Sequence, residues 1–418
     1  TNGSSSRLAL AVAPRDQDAN ARLTLSASSV DAGASATLSV RLEGTLPRAG
    51  AYEGVITIRG GAVDLRVPYL YFVGDGAPYN IFPVIGWDFV GNTSELIPGR
   101  YIAFKLIDRY GVPVRNAAVR FRVTLGGGSV DTADPQTDIY GIAAAKVYLG
   151  PQLGEQEFTA EAGGLTVAFP GRARLRPTIE SGGVVNAASF ERGKPVAPGS
   201  YIAIFGRGLS DTTRVFSTPY LPLSLAGLSV SFDVPSKKLS LPGRLHFVSD
   251  SQVNVQVPWE LQGLNTAWIK VSIGYESSSS VYTLALADYS PGFFEYTEPA
   301  SGRSLIAALD EGYKLITSDN GARRGRVVQL YANGLGPVDN QPPSGEATPA
   351  QPLATTRLTP TVTVGGRPAS VQFSGLAPYN VGLYQLNIIV PPDAPTGVQP
   401  VVVTAGGVAS KAANLPIQ

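Results

Sequence analysis

The stretch that decides the fold is QVNVQVP at residues 252–258, because the chain repeats it as QLNIIVP at residues 385–391. A second matching pair lies upstream, FGRGL at 205–209 and YANGL at 331–335, and each follows an alternating apolar run. Alternation with a period of two is the pattern of a half-buried β-strand. Two copies of one β-domain of roughly 115–130 residues explain the repeat. Tandem β-modules usually bind, space or assemble, so the pattern favours a non-catalytic role.

The rest of the chain has the same β-rich character. Short alternating runs bounded by Gly, Pro, Asn or Asp recur, such as ATLSVRL (36–42) and VRFRVTL (119–125). The candidates for short helical pieces are PWELQG (258–263) and NAASFE (186–191). The sequence therefore predicts an all-β fold of tandem Ig-like and fibronectin-like β-sandwiches in an elongated string. The expected core is the alternating set Val55, Ile56, Ile58, Phe121, Val123, Ile202, Ile204, Val253, Val255, Leu386 and Ile388.

Changes in composition divide this string into domains. At about 100–150 residues per domain, the 418 residues predict three or four domains. The predicted sandwiches, in chain order, span 1–75, 76–177, 178–297 and 298–418. The Pro-rich segment 337–352 interrupts the last sandwich and is predicted to be a long ordered loop, because the repeat resumes after it.

Charge and composition narrow the class of protein. The chain has 33 basic and 32 acidic residues, so nothing steers it towards nucleic acid. Cysteine is absent, which excludes disulfides, thiol catalysis and cysteine metal sites. No apolar run reaches the roughly 18 residues that a transmembrane segment needs. Because the chain starts at Thr1 without an initiator Met, we interpret it as an exported, processed protein of the cell surface or the extracellular space.

Groups suited to catalysis are sparse. His246 is the only histidine, so a Ser/His/Asp triad would have to use it. Its neighbours Leu245 and Phe247 are apolar, which puts the imidazole on the opposite side of a strand and favours a structural or surface role. Paired carboxylates for glycoside cleavage can meet in space, but no cluster stands out in the sequence. We expect no catalytic residue, no cofactor and no enzyme activity. The acidic residues that could form such a carboxylate pair lie in strand or turn settings: Glu53, Glu155, Glu157 and Asp288.

Calcium is the one metal that the sequence leaves open. The segment DTADPQTD (131–138) places Asp131, Asp134 and Asp138 on one loop, at spacings suited to oxygen ligands but not to an EF-hand. The alternative interpretation is a solvated hairpin tip rich in turn-forming residues.

Aromatic residues have two interpretations. They are candidates for stacking on sugar rings, but a tryptophan in a β-sandwich more often fills the core. Trp259 follows Pro258 at a strand end and Trp268 opens the next strand, so both are predicted to cover the end of one sandwich. The aromatic candidates are Trp87, Trp259, Trp268, Tyr289, Phe293, Phe294 and Tyr296.

The two Q-x-N motifs repeat an amide pair. Gln252 and Asn254, like Gln385 and Asn387, lie at a period of two on the face opposite the apolar strand residues. We favour an internal hydrogen-bond device that ties strand to loop. The alternative is an interdomain contact that occurs in both copies.

Three segments resemble known families. Residues 23–42 and 50–73 resemble the fibronectin-type-III-like domain that follows the catalytic domain in secreted subtilisin-like proteases. This implies an accessory role in substrate or carbohydrate binding, secretion or anchoring. Residues 101–130 and 137–165 resemble bacterial Ig-like domains of the invasin and intimin type. From residue 178 onwards, motifs such as NAASF and LYANGLGPV resemble a two-copy C-terminal β-domain family of large secreted bacterial proteins, which has no assigned activity.

The fibronectin-like segment suggests a mode of assembly. The family's domain has more chain before this point, so the first sandwich is expected to lack a strand and to expose an apolar groove. The segment RLALAVAP (7–14) alternates Leu8, Leu10 and Val12 and is a candidate donor strand for a neighbouring copy. Head-to-tail donation need not close and would give a filament. The alternative is a monomeric stalk or attachment module. Expected partners are further copies, other surface proteins or polysaccharide.

Overall fold

The computed structural model describes residues 1–15, 21–216, 219–275 and 277–418. These residues form β-strands joined by turns, with two single 3-10 turns at Pro235–Lys237 and Trp259–Leu261. The prediction of an all-β fold of tandem Ig-like sandwiches is confirmed. The chain divides into two compact units, Thr1–Arg174 and Leu175–Gln418. Within the described residues, no helix is long and apolar enough to cross a membrane.

The first unit opens with two small sheets. One has the strand order β3-β1-β5-β6, and the other pairs β2 with β4. The strands are β1 (Leu8–Pro14), β2 (Ala21–Leu25), β3 (Ser29–Val30), β4 (Val40–Gly44), β5 (Gly50–Arg59) and β6 (Leu65–Val73). Ile56 is buried as predicted, but Val55 and Ile58 are only half-buried. Val55 is adjacent to Ile56 on β5, so the two side chains face opposite sides of the sheet.

The strand β6 is an edge strand with exposed apolar side chains. It pairs with β5 on one side, from Gly50 opposite Val73 to Ile58 opposite Leu65. Four of its large apolar side chains are exposed, and they occur on both faces of the strand: Leu65, Val67, Leu70 and Phe72. This part of the chain therefore buries much less apolar surface than the rest.

The remainder of the first unit is a two-sheet sandwich. Its sheets have the orders β10-β13-β14-β8 and β11-β12-β9-β7. The strands are β7 (Asn80–Ile85), β8 (Phe89–Asn92), β9 (Leu96–Ile107), β10 (Val119–Leu125), β11 (Ser129–Ala133), β12 (Ile142–Tyr148), β13 (Gly154–Ala162) and β14 (Leu165–Arg174). Phe104, Phe158 and Phe169 are fully buried between the sheets, and the predicted core residues Phe121 and Val123 pack against them at half burial.

The second unit begins with the first repeat. A five-stranded sheet runs β15-β16-β22-β21-β17, and a six-stranded sheet runs β18-β19-β23-β24, with β20 on β19 and β25 on β23. The strands are β15 (Thr178–Asn186), β16 (Tyr201–Arg207), β17 (Arg214–Val215), β18 (Ser224–Leu225), β19 (Leu228–Val234), β20 (Leu239–Pro242), β21 (Arg244–Val248), β22 (Gln252–Gln256), β23 (Thr266–Ile273), β24 (Ser277–Ser278) and β25 (Tyr282–Ala285). Ile202, Ile204, Val253 and Val255 are fully buried, as predicted.

The second repeat completes this unit. Its main sheet runs β26-β30-β33-β32-β31-β34-β35, with β29 on β30 and β36 on β34, and β27 pairs with β28. The strands are β26 (Gly292–Phe293), β27 (Glu295–Thr297), β28 (Ser304–Ile306), β29 (Ala308–Leu309), β30 (Val327–Asn333), β31 (Thr361–Val364), β32 (Arg367–Leu376), β33 (Tyr384–Ile389), β34 (Gly397–Ala405), β35 (Val408–Ala409) and β36 (Ala413–Ile417). Leu386 and Ile388 are fully buried, as predicted.

Strand pairing follows the same order in both repeats. The pair β16–β22 corresponds to β30–β33, and β19–β23 corresponds to β31–β34. One difference is that β32 is a single continuous strand that pairs with both β31 and β33. Its counterpart in the first repeat is divided at Gly243 into β20, which pairs with β19, and β21, which pairs with β22. A Cβ on Gly243 would lie 2.5 Å from Val255 Cγ2 and 2.9 Å from Phe232 Cε2. The absent side chain therefore lets the backbone cross the core of the first repeat.

Candidate binding cleft between the two repeats

The repeated motif places apolar and amide side chains on opposite faces of β22. Val253 and Val255 face the core, while Gln252, Asn254 and Gln256 face away from it. Gln252 Nε2 donates to Asn254 Oδ1 at 2.7 Å, and Gln385 Nε2 donates to Asn387 Oδ1 at 2.8 Å. The predicted internal hydrogen bond is thus present in both repeats. It lies within one strand, not between strand and loop as expected.

The contact between the repeats is made by the next amide, Gln256. Its side chain is buried, with Nε2 donating to the Gly199 carbonyl at 3.1 Å and Oε1 accepting from the Gly345 N–H at 2.7 Å. Gly345 lies in the segment 337–352, which is ordered as predicted. Its carbonyl also accepts from the Leu221 N–H at 2.8 Å. The loop of the second repeat is therefore bonded to the first repeat.

Trp259 anchors the same contact through packing. It follows β22 in the first repeat, yet it is buried among the core residues of the second repeat. A Cβ on Gly199 would lie 2.1 Å from the Trp259 ring, so only glycine fits there. The backbone N–H of Trp259 donates to Ser344 Oγ at 2.9 Å. Nε1 is buried without a hydrogen-bond partner among the described residues, so the ring is held by packing.

The other aromatic candidates have different environments. Trp87 and Trp268 are exposed, so the prediction that tryptophans fill the core is wrong for both. On β23, Ala267 and Ile269 take the core-facing positions, which turns Trp268 outwards. Phe293 is buried, Tyr289 packs against the core of the second repeat, and Tyr296 donates its hydroxyl to the Ile316 carbonyl at 2.6 Å.

A buried asparagine pair forms the centre of the contact between repeats. Asn333, the central residue of YANGL and the last of β30, donates through Nδ2 to Asn186 Oδ1 at 2.9 Å and to the Tyr201 carbonyl at 2.8 Å. Its Oδ1 accepts from the Tyr201 N–H at 3.0 Å. Asn186, in NAASF, donates to the Ser290 carbonyl at 2.6 Å. The motifs that carry the family resemblance thus bond one repeat to the other. The sequence analysis missed this contact between the repeats. A signal for it was present, because the second copy has Asn333 at the position where the first copy has Arg207.

A cleft of about 420 Å³ opens between the repeats beside this contact. Six of its lining residues carry the chemistry: Tyr201, His246 and Asn254 on one side, and Phe294, Tyr379 and Leu383 on the other. Burial raises the pKa of the Tyr201 hydroxyl well above its usual value, so the group stays protonated. The cleft therefore combines aromatic faces with polar side chains.

His246 lines this cleft because of a bulge in β21. The strand register shifts between Leu245, opposite Val255, and Phe247, opposite Asn254, which leaves His246 as the extra residue. His246 lies away from the buried Leu245 as predicted, but the expectation that Phe247 shares the side of Leu245 is wrong, because Phe247 lies opposite Asn254 on the face that points away from the core. Nδ1 is 2.8 Å from the Phe216 carbonyl, and the ring meets that of Tyr201 edge-on at 5.7 Å.

Tyr379 forms the rim of the cleft in an uncommon conformation. Its φ is +64°, in the left-handed region that bulky residues rarely adopt. The side chain is 78 % exposed. The conformation is held by the backbone N–H, which donates to the Thr348 carbonyl at 2.7 Å.

The three aspartates proposed for calcium do not converge on a common point. Asp131 forms an ion pair with Lys146 at 2.9 Å, and Asp134 Oδ2 accepts from the Ala144 N–H at 2.9 Å. Asp138 Oδ1 accepts from the N–H groups of Tyr140 and Ile142, both at 2.8 Å. Among the described residues, no group of three or more His, Cys, Asp or Glu is placed to hold a metal ion. The geometry is that of turns stabilised by aspartate.

The three residues proposed for strand donation lie on β1. Leu10 is buried, and Leu8 and Val12 are half-buried. Within the same chain, β1 pairs with β5 from Ala9 opposite Arg59 to Pro14 opposite Gly54. Donation to a neighbouring copy would require β1 to leave this pairing.

Comparison with known proteins gives distant structural similarity. No protein-family model and no curated protein matches the chain. A C-terminal intimin fragment, solved in complex with the intimin-binding domain of the translocated intimin receptor, is 15 % identical over 58 % of this chain and 70 % of its own, with a TM-score of 0.32. Invasin, described as a bacterial integrin-binding protein, is 12 % identical over 99 % of this chain and 72 % of its own, with a TM-score of 0.24.

A third similar structure is the Escherichia coli adhesin FdeC. It is 10 % identical over 81 % of this chain and 100 % of its own, with a TM-score of 0.21. At these identities and TM-scores the similarities carry no argument about function. The assignment of the fold therefore rests on the strand pairing of the chain itself.

Proposed function

We propose that the chain is a non-catalytic adhesive or surface-attachment module of an exported protein. The observation that carries the proposal is the cleft between the repeats, whose walls are fixed by the buried bonds of Asn333 and Gln256. A site held in shape before its ligand arrives loses less conformational entropy on binding. Such a cleft suits recognition.

The chemistry of the lining supports binding in preference to turnover. His246 directs Nδ1 to a backbone carbonyl and not to a carboxylate, so it lacks the orienting acid of a catalytic triad. Burial holds the nearby Tyr201 hydroxyl in its protonated form. These groups act as hydrogen-bonding partners for a ligand.

The test compares binding with turnover in the full chain. We expect immobilised chain to bind cell surfaces or surface extracts saturably while leaving peptide, ester and polysaccharide substrates intact. Turnover abolished by His246→Ala, or by replacement of one serine or carboxylate, would show that the chain is an enzyme. Failure to bind any surface preparation would rule out attachment.

Assembly into a filament is a second candidate function, favoured by the exposed apolar edge at β6. An open edge with large apolar side chains is a site for pairing with another strand. In such a filament, β6 of one copy would accept the added strand, and β1 of a neighbouring copy is the candidate donor.

A further inference from the structure

We infer that the cleft between the repeats binds a neutral, polyhydroxylated ligand, namely a sugar unit of an uncharged glycan. This inference rests on the proposed attachment function and names the chemistry to which the module attaches. The cleft's volume of about 420 Å³ lies within the range of about 300–1,000 Å³ typical of ligand sites.

Charge is the first property that selects the ligand. Among the described residues that line the cleft, none is Asp, Glu, Lys or Arg. A charged group entering such a site gives up hydration without gaining a counter-ion, which is unfavourable. The lining therefore favours an uncharged ligand.

Hydrogen bonding is the second property. A carbonyl oxygen can only accept, so the bond between Nδ1 of His246 and Phe216 places a proton on Nδ1, and in an imidazole with one proton this makes Nε2 an acceptor. Asn254 uses Oδ1 for Gln252, which leaves its Nδ2 as a donor. In the part of the chain that the structure describes, nothing bonds these two nitrogens or the hydroxyl of Tyr201.

Hydroxyl groups match this set because each one both donates and accepts. Neighbouring hydroxyls of a sugar can give a proton to His246 Nε2 and accept one from Asn254 Nδ2. A proline-rich peptide, the other common occupant of aromatic clefts, offers carbonyl acceptors but lacks N–H donors at its prolines. It offers the imidazole acceptor fewer donors than a glycan does, so the glycan is the better match.

Each ligand-facing group is held by a second residue. Gln252 orients the Asn254 amide, the Phe216 carbonyl fixes the His246 ring, and Asn333 bonds both backbone groups of Tyr201. Support of this kind is characteristic of a built site.

The aromatic faces complete the argument. Phe294 and Tyr379 line the second side of the cleft, where the apolar C–H face of a sugar ring can pack against an aromatic ring. Tyr379 is held at positive φ with its side chain exposed, and strained residues of this kind concentrate at ligand clamps. The strain positions the ring at the rim, where an incoming glycan would meet it.

The experiment measures binding of the full chain to neutral oligosaccharides prepared from dextran, cellulose, mannan and galactan, with polygalacturonate as the charged comparison. We expect at least one neutral series to bind and polygalacturonate not to compete. Tyr379→Ala and Asn254→Ala should each weaken binding by about tenfold or more. The matched control is Tyr313→Ala, because Tyr313 is also an exposed tyrosine at positive φ (+59°) but lies outside the cleft, and it should bind normally.

Three results would overturn the inference. One is failure of every neutral oligosaccharide to bind, which leaves attachment to surfaces through another face unaffected. Another is glycan binding that Tyr379→Ala does not weaken while the variant melts like the parent chain, which would place the site elsewhere. The third is Tyr379-dependent binding of a proline-rich peptide in the absence of glycan binding, which would assign the cleft to a protein partner.

Discussion

Asn333 shows how much of the second unit depends on single buried amides. Asn333→Ala would remove the bond to the backbone N–H of Tyr201, whereas the Tyr201 carbonyl keeps the Ala187 N–H at 3.1 Å and Asn186 Oδ1 keeps the Ala188 N–H at 2.8 Å. One unpaired buried polar group costs about 1–3 kcal/mol, so we expect the free energy of unfolding to fall by this amount. Denaturant unfolding measures this loss.

The matched control for Asn333 is Asn414→Ala. Asn414 is exposed and donates one hydrogen bond, to the Ser304 carbonyl at 3.2 Å. Its replacement should cost less than about 1 kcal/mol. Equal losses in the two variants would mean that the buried position of Asn333 has no special energetic role.

Glu298 gives a prediction that depends on pH. The hydroxyl of Ser301 donates to its carboxylate, and Ser318 donates through its N–H at 2.7 Å and its hydroxyl at 2.5 Å, which together lower the pKa of Glu298. A lowered pKa means that the ionised form stabilises the fold above the unfolded-state pKa, about 4.3, and that this is lost as pH falls through the folded-state value.

Glu298→Gln should therefore lower the urea midpoint at pH 7. The difference from the parent chain should shrink as the pH falls through the lowered folded-state pKa of Glu298, because both chains are then uncharged at this position. Midpoints measured from pH 7 down to pH 3 provide the test. A difference that stays constant across this range would show that the ionised carboxylate contributes nothing.

Single residues also show the limits of sequence reasoning. The period of two placed Val253 in the core and Asn254 on the opposite face, because alternation is a local property. The bond between Asn186 and Asn333 joins residues 147 positions apart, so no local pattern predicts it. Tyr379 at positive φ was equally hidden, since the surrounding loop and not the residue type imposes that conformation.

Elements were predicted better than the contacts between them. The alternating apolar runs predicted the strands of both repeats, and the turn-forming residues predicted where these strands end. One of the two short helical candidates is confirmed and the other is wrong: 258–263 contains the single 3-10 turn Trp259–Leu261, whereas 186–191 is a turn after β15. Both pieces are short, and a helix of so few residues is not stable on its own.

The edge strand β6 carries the prediction about assembly. If β6 accepts a strand, the full chain should self-associate as its concentration rises, and the double variant Leu70→Lys with Phe72→Lys should stay monomeric, because charge on an edge opposes pairing. Leu46→Lys is the control, since Leu46 is also exposed but lies between β4 and β5. Analytical sedimentation decides between the outcomes. A chain that is monomeric at all concentrations, or a control that dissociates the assembly equally well, would argue against strand addition.

At the scale of the whole molecule, the sequence repeat predicted two copies of one sandwich but not how they are joined. The predicted boundary between copies was 297, whereas β26 and β27 (292–297) already pair with strands of the second repeat. The division into sandwiches at 1–75, 76–177, 178–297 and 298–418 stays a proposal. What composition could not reveal is that a tryptophan of one repeat lies in the core of the other.

The central claim is that the two repeats form one interlocked unit, and hydrogen exchange in Trp259→Ala tests it most directly. Removing a buried tryptophan costs about 3–5 kcal/mol. We expect protection to fall in β30 and β33 of the second repeat, although the substitution lies in the first, because Trp259 packs in the core of the second repeat. Trp268→Ala, at an exposed site, should change little. Loss of protection confined to the first repeat would contradict the claim.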